Sequence, residues 1–120
     1  MIHRLLCAVI FLTAAVAVNA EPALTLAPKY NCAGTNPDGS KYSGTVSISL
    51  VSDTTFNVEW NIDGEIYKGF GMHRNDAVAA TYTINGQPGL VVYQVKDGTL
   101  NGLWTIRGEN GNGTEVLTPQ

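Results

Sequence analysis

The feature that most constrains this chain is a two-residue alternation of apolar and polar side chains, broken at short intervals by Asn-Gly and Asp-Gly pairs. From Lys41 to Leu50, Tyr42, Val46, Ile48 and Leu50 fall on one face and Lys41, Ser43, Thr45, Ser47 and Ser49 on the other. Thr55 to Ile62 repeats the pattern, with Phe56, Val58, Trp60 and Ile62 set against Asn57, Glu59 and Asn61. A period of two rich in β-branched and aromatic residues specifies half-buried strands, and nowhere in residues 21–120 does a helical period persist. The interruptions are Asn36-Pro37-Asp38-Gly39, Ser52-Asp53, Asp63-Gly64, Arg74-Asn75-Asp76, Asn85-Gly86-Gln87-Pro88, Lys96-Asp97-Gly98 and Glu109 to Gly113. Asn-Gly and Asp-Gly suit tight primed turns, whose central residues take positive φ. The punctuation predicts eight strands, near 29–35, 40–51, 54–62, 65–73, 77–84, 89–95, 99–107 and 113–118.

Short connections make consecutive strands antiparallel neighbours, an up-and-down meander. A meander with one apolar face buries it either by folding into a β-sandwich or by curling until the last strand meets the first. Closure into a small barrel is the favoured solution, because it removes both unpaired edges, and eight strands enclose an interior that side chains just fill or that holds one small ligand. The hairpin at Asp63-Gly64 sets a register. A two-residue loop places Trp60 opposite Tyr67, Val58 opposite Gly69, Phe56 opposite Gly71 and Glu59 opposite Lys68. A longer loop would bury Lys68 without a partner, which is far more costly. The tight turn leaves Ile66, Phe70 and Met72 pointing outward.

The N-terminus reads differently. Arg4 precedes an apolar run from Leu5 to Val18, and Val18-Asn19-Ala20 ends it just before Glu21-Pro22. This is the three-part layout of a secretory signal, too short for the roughly 20 residues that span a bilayer. Residues 1–20 are therefore expected to be a signal peptide and residues 21–120 a single β-barrel domain, periplasmic or secreted. The whole chain carries a formal net charge of −3. Removing Arg4 makes the remainder more acidic still, which argues against nucleic acid and anionic membrane surfaces as partners. Cys32 is the one cysteine beyond the signal, so it has no internal disulfide partner and is expected to be a small buried hydrophobe rather than a link between chains.

Few residues carry chemistry. The inward set Tyr42, Trp60, Tyr67, Tyr82, Tyr93 and Trp104 is expected to be mainly core, since interiors are close-packed. Any space left among these rings would be a site for a small apolar or aromatic ligand. The outward stripe Ile66, Phe70 and Met72 would serve a protein partner. His73 stands beside Arg74 with no second ligand at metal spacing. Ser40, Ser43, Ser47 and Ser49 lack an activating base, so neither a catalytic site nor a metal or cofactor is expected. Glu115, in Gly113-Thr114-Glu115-Val116-Leu117, is expected to face solvent at an edge, because glutamate is seldom buried unpaired; turned inward, it would accept hydrogen bonds from a Tyr or Trp. Asn112-Gly113-Thr114 fits both an N-glycosylation acceptor and a turn.

The order of glycines, aromatics and turns carries a resemblance. Tyr30 is followed by Gly34-Thr35-Asn36-Pro37-Asp38-Gly39-Ser40 with Tyr42 and Gly44, then Trp60 with Asp63-Gly64, and then Tyr67, Gly69 and Gly71. Asp97-Gly98, Leu100, Gly102 and Trp104 come next, and Gly113-Thr114-Glu115 with Leu117-Thr118 closes the chain. This resembles a family of short exported bacterial proteins often labelled fibronectin-binding protein, across nearly all of residues 21–120. The resemblance implies a non-enzymatic binding protein with an extracellular or envelope protein partner such as fibronectin, and brings no catalytic residues. The residues themselves leave a second reading, a carrier of a small apolar or aromatic ligand in the barrel interior. A third, a hydrolase-like enzyme, is disfavoured by the lack of a paired nucleophile, acid and base.

Overall fold

The computed structural model describes residues 24–120. The expected signal peptide, residues 1–20, lies outside the described residues. Eight strands follow in order: β1 (Lys29–Thr35), β2 (Lys41–Leu50), β3 (Thr55–Ile62), β4 (Glu65–Arg74), β5 (Ala77–Ile84), β6 (Gln87–Lys96), β7 (Thr99–Ile106) and β8 (Gly113–Pro119). Each pairs antiparallel with the next, and β1 pairs with β8, so the sheet closes into a barrel. The meander expected from the turns is therefore the observed topology, and the sandwich is not.

The turns explain the registers. Asp63-Gly64, Asn85-Gly86 and Asp97-Gly98 each place both central residues at positive φ, the conformation that suits a two-residue hairpin between right-twisted strands. Ile62 then faces Glu65, Ile84 faces Gln87 and Lys96 faces Thr99. The β5–β6 turn is shorter than the sequence implies: Gln87 and Pro88 belong to β6, with Pro88 opposite Thr83. In the β3–β4 hairpin Trp60 faces Tyr67, Val58 faces Gly69, Phe56 faces Gly71 and Glu59 faces Lys68, as the parity argument requires. Ile66, Phe70 and Met72 consequently point outward. Leu50, placed by alternation on the inward face, is 63% exposed at the end of β2, where the chain leaves the barrel.

Alternate side chains meet in one interior. Tyr30, Val46, Phe56, Val78, Leu100 and Leu117 are its most completely buried large residues. Strand glycines make the space. Gly34 lies opposite Tyr42, Gly89 opposite Tyr82, Gly102 opposite Tyr93 and Gly113 opposite Trp104, and a Cβ at any of the four would overlap the facing ring. Glycine at these positions lets a ring lie flat across the neighbouring strand, so six-membered rings fit inside a narrow barrel. The end at which β1 starts is covered by the segment before it. Leu26 is buried in the core, Leu24 and Ala27 pack against it, and the Ala27 amide donates to the Tyr30 hydroxyl at 2.8 Å. The opposite end carries the β1–β2, β3–β4, β5–β6 and β7–β8 loops and is the open mouth.

Candidate ligand-binding site

Five of the six interior aromatics converge on the mouth. Tyr42, Trp60, Tyr67, Tyr82 and Trp104 line a cavity of about 200 Å³, closed off by Ile62, Ile84 and Val91, with Asn36 and Asp63 at the rim and Glu115 within it. The rings stand steeply to one another. Trp60 and Tyr82 pack edge to face with centroids 5.3 Å apart, and Tyr42 and Trp104 do the same at 6.1 Å. The sixth aromatic, Tyr93, does not line the cavity: it is 3% exposed and lies beneath, bonded to Glu115. Tyr30, outside the interior set expected from the sequence, is fully buried towards the covered end; a lone tyrosine in a short strand has no second aromatic to mark it.

The expectation that Glu115 faces solvent is overturned. Its side chain is 4% exposed and organises the site. Oε1 accepts from Cys32 Sγ at 3.1 Å and from the Tyr42 hydroxyl at 2.9 Å. Oε2 accepts from Trp60 Nε1 at 3.1 Å and from the Tyr93 hydroxyl. Four donors on two oxygens match the acceptor capacity of an ionised carboxylate, and this is the compensation without which a buried glutamate is prohibitive. The donors come from β1, β2, β3 and β6, so β8 is tied to four other strands through one residue.

The electrostatics follow from that charge. Burial first, and then the Glu115 carboxylate, push the Tyr93 and Tyr42 phenols well above the usual tyrosine value. Burial and then Glu115 raise the Cys32 thiol and the Tyr82 phenol in the same way. All remain protonated donors across ordinary pH. Cys32 is buried and free, in its expected place, and hydrogen-bonded besides. Tyr67 donates to Glu65 at 2.5 Å on the outer rim, and that bond raises its phenol.

A larger apolar groove, about 760 Å³, runs along the outer wall. Phe70 and Met72 of β4 form one side, Leu90 and Val92 of β6 the other, and the smaller Ala79 and Thr81 of β5 the floor; Phe70 pairs across Thr81 to Leu90, and Met72 across Ala79 to Val92. Phe70 and Met72 are 65% and 58% exposed. Ile66, the third residue of the expected stripe, is also exposed but lies outside the groove, separated from Phe70 by Lys68 on the same face of β4. The groove is the larger hollow, yet only the mouth cavity brings polar groups together on a confined space, which is what fixes a small ligand. His73 is half-buried in β4, and among the described residues no group of His, Cys, Asp and Glu is placed to hold a metal ion.

No family model and no curated protein matches the chain. Solved structures do match. A de novo designed fluorescence-activating β-barrel superposes with a TM-score of 0.63 at 15% identity, covering 82% of this chain and 96% of its own. A redesigned β-barrel gives 0.65 at 19% identity over 79% and 91%. EF1p2_mFAP2b, solved bound to DFHBI, gives 0.60 at 16% identity over 79% and 94%. At these identities the likeness shows the fold.

Proposed function

We propose that this protein is an exported, non-enzymatic barrel that binds a small molecule in the mouth cavity. The observation that carries the reading is the cavity itself, walled by five aromatic side chains and floored by a fully hydrogen-bonded carboxylate. Two of the structural neighbours, one described as fluorescence-activating and one bound to DFHBI, are consistent with the use of this fold to hold a small ligand. The cavity is smaller than the roughly 300–1,000 Å³ of drug-sized sites, so the ligand is small. The test is a thermal-shift and tryptophan-fluorescence screen with small aromatic and aliphatic compounds, repeated on Ile84→Trp, which fills the mouth. At least one compound is expected to raise the melting temperature and change the Trp60 and Trp104 emission, and the filled variant to lose both effects. A panel that moves neither signal, or equal binding by the filled barrel, contradicts the reading.

The outer groove favours a second reading, a protein partner on β4–β6, because contiguous exposed apolar surface marks interaction sites. Fibronectin is the candidate that the family resemblance suggests. Immobilised fibronectin is expected to retain the protein and to release Phe70→Asp with its fold intact; equal retention of the variant removes the groove from the interaction. Export is tested by N-terminal sequencing of the protein recovered outside the cytoplasm, which is expected to begin at Glu21.

A further inference from the structure

We propose that the ligand of the mouth cavity is a small organic cation, an alkylated ammonium ion held by aromatic faces over the Glu115 charge. The inference rests on the reading of that cavity as a ligand site and goes on to its chemistry. The first observation is an uncompensated charge. The partners of Glu115 are four neutral groups, Cys32, Tyr42, Trp60 and Tyr93, and every lysine and arginine among the described residues is exposed. Hydrogen bonds satisfy the carboxylate's lone pairs but supply no opposite charge, and Glu115 lines the cavity, so its charge acts there at short range.

The second observation is the wall. Trp60, Trp104, Tyr42, Tyr67 and Tyr82 surround about 200 Å³, and the two edge-to-face pairs set the rings at steep angles to each other. Aromatic side chains gathered around one small space form the kind of wall that recognises alkylated ammonium groups. The third is the sign of the rim. Asp63 lines the cavity, Glu65 holds the Tyr67 hydroxyl, and none of the lining residues is basic. Other ligand classes fit less well. An anion would enter against Glu115 and Asp63. A metal ion would need free oxygen ligands, and both Glu115 oxygens already accept two donors each. A neutral apolar molecule would gain the rings but leave the charge unanswered.

The experiment is a fluorescence and calorimetric titration of the purified full chain with choline and, in parallel, with the neutral alcohol in which carbon replaces its nitrogen. Choline is expected to bind at least about ten-fold more tightly than the isostere, and Glu115→Gln to erase that preference. Should Glu115→Gln fail to fold, Asp63→Asn in the exposed turn takes its place and is expected to weaken choline by about two-fold while leaving the isostere unchanged, as a rim charge does. An isostere that binds as well as choline overturns the cation assignment while leaving the cavity a ligand site, as does an unchanged choline affinity in the folded variant. If neither compound binds, the cation assignment falls, and the compound screen on the filled-mouth variant decides separately whether the cavity is a site at all.

Discussion

At the scale of single residues, Glu115 decides most. It replaces what would be a void or an apolar layer with a charge that four strands must serve. Glu115→Gln keeps the shape but offers an amide nitrogen where two donors now point, so buried donors lose their acceptor. The expected cost is about 1–3 kcal/mol, read as a lower urea midpoint with an unchanged m-value; a variant as stable as the parent would mean that the four hydrogen bonds contribute nothing net. Cys32 answers to the same residue. Because burial and the adjacent carboxylate both favour the thiol over the thiolate, a thiol reagent is expected to leave the native protein unlabelled and to modify it only on unfolding. Rapid labelling of the folded chain would place Cys32 in solvent and contradict its position.

At the scale of the elements, the barrel is a set of hairpins in which a ring on one strand lies over a glycine on the next. The β5–β6 hairpin tests this. An alanine Cβ at Gly89 would run into the Tyr82 ring, so Gly89→Ala is expected to cost about 1–3 kcal/mol by overpacking. Removing the ring should remove the conflict: in a Tyr82→Ala background the same substitution is expected to cost distinctly less, a coupling measurable by a double-mutant cycle. Equal costs in both backgrounds would show that the glycine serves backbone geometry instead. The alternation of Thr55 to Ile62 and the Asp63-Gly64 turn made the β3–β4 hairpin legible residue by residue, because period and turn type together leave one register. The β5–β6 turn was less legible. Pro88 reads as a breaker, yet it sits in β6 opposite Thr83.

At the scale of the molecule, closure seals the phenols of four of the five tyrosines from water to different degrees: Tyr30, Tyr42, Tyr82 and Tyr93 all carry phenols raised by burial as the largest cause. Their folded-state values lie above the unfolded value of about 10, so the native barrel retains protons that the unfolded chain releases. Their contribution to stability is fully present below about pH 10 and is lost as pH rises through the folded values; Cys32 adds to the loss from about pH 8.5 upward. The urea midpoint is expected to stay level from neutrality to about pH 8 and to fall steeply above pH 10, with phenolate absorbance from these four residues appearing together with loss of β-sheet circular dichroism. Their ionisation within an intact barrel would show that they are not sealed.

The sequence by itself determined the eight strands and their order, the Asp63-Gly64 hairpin with its register, and most of the faces. Those follow from local chemistry: side-chain period, positive-φ turn pairs and the cost of burying Lys68. It also separated the inward aromatics from the outward Phe70 and Met72. What only the tertiary structure decided concerns residues far apart in the chain. Glu115 reads as an edge glutamate because its donors, Cys32, Tyr42, Trp60 and Tyr93, stand on other strands. The mouth cavity and the groove floored by Ala79 and Thr81 likewise exist only once β8 has met β1, since a hollow is a property of the closed surface and of no single strand.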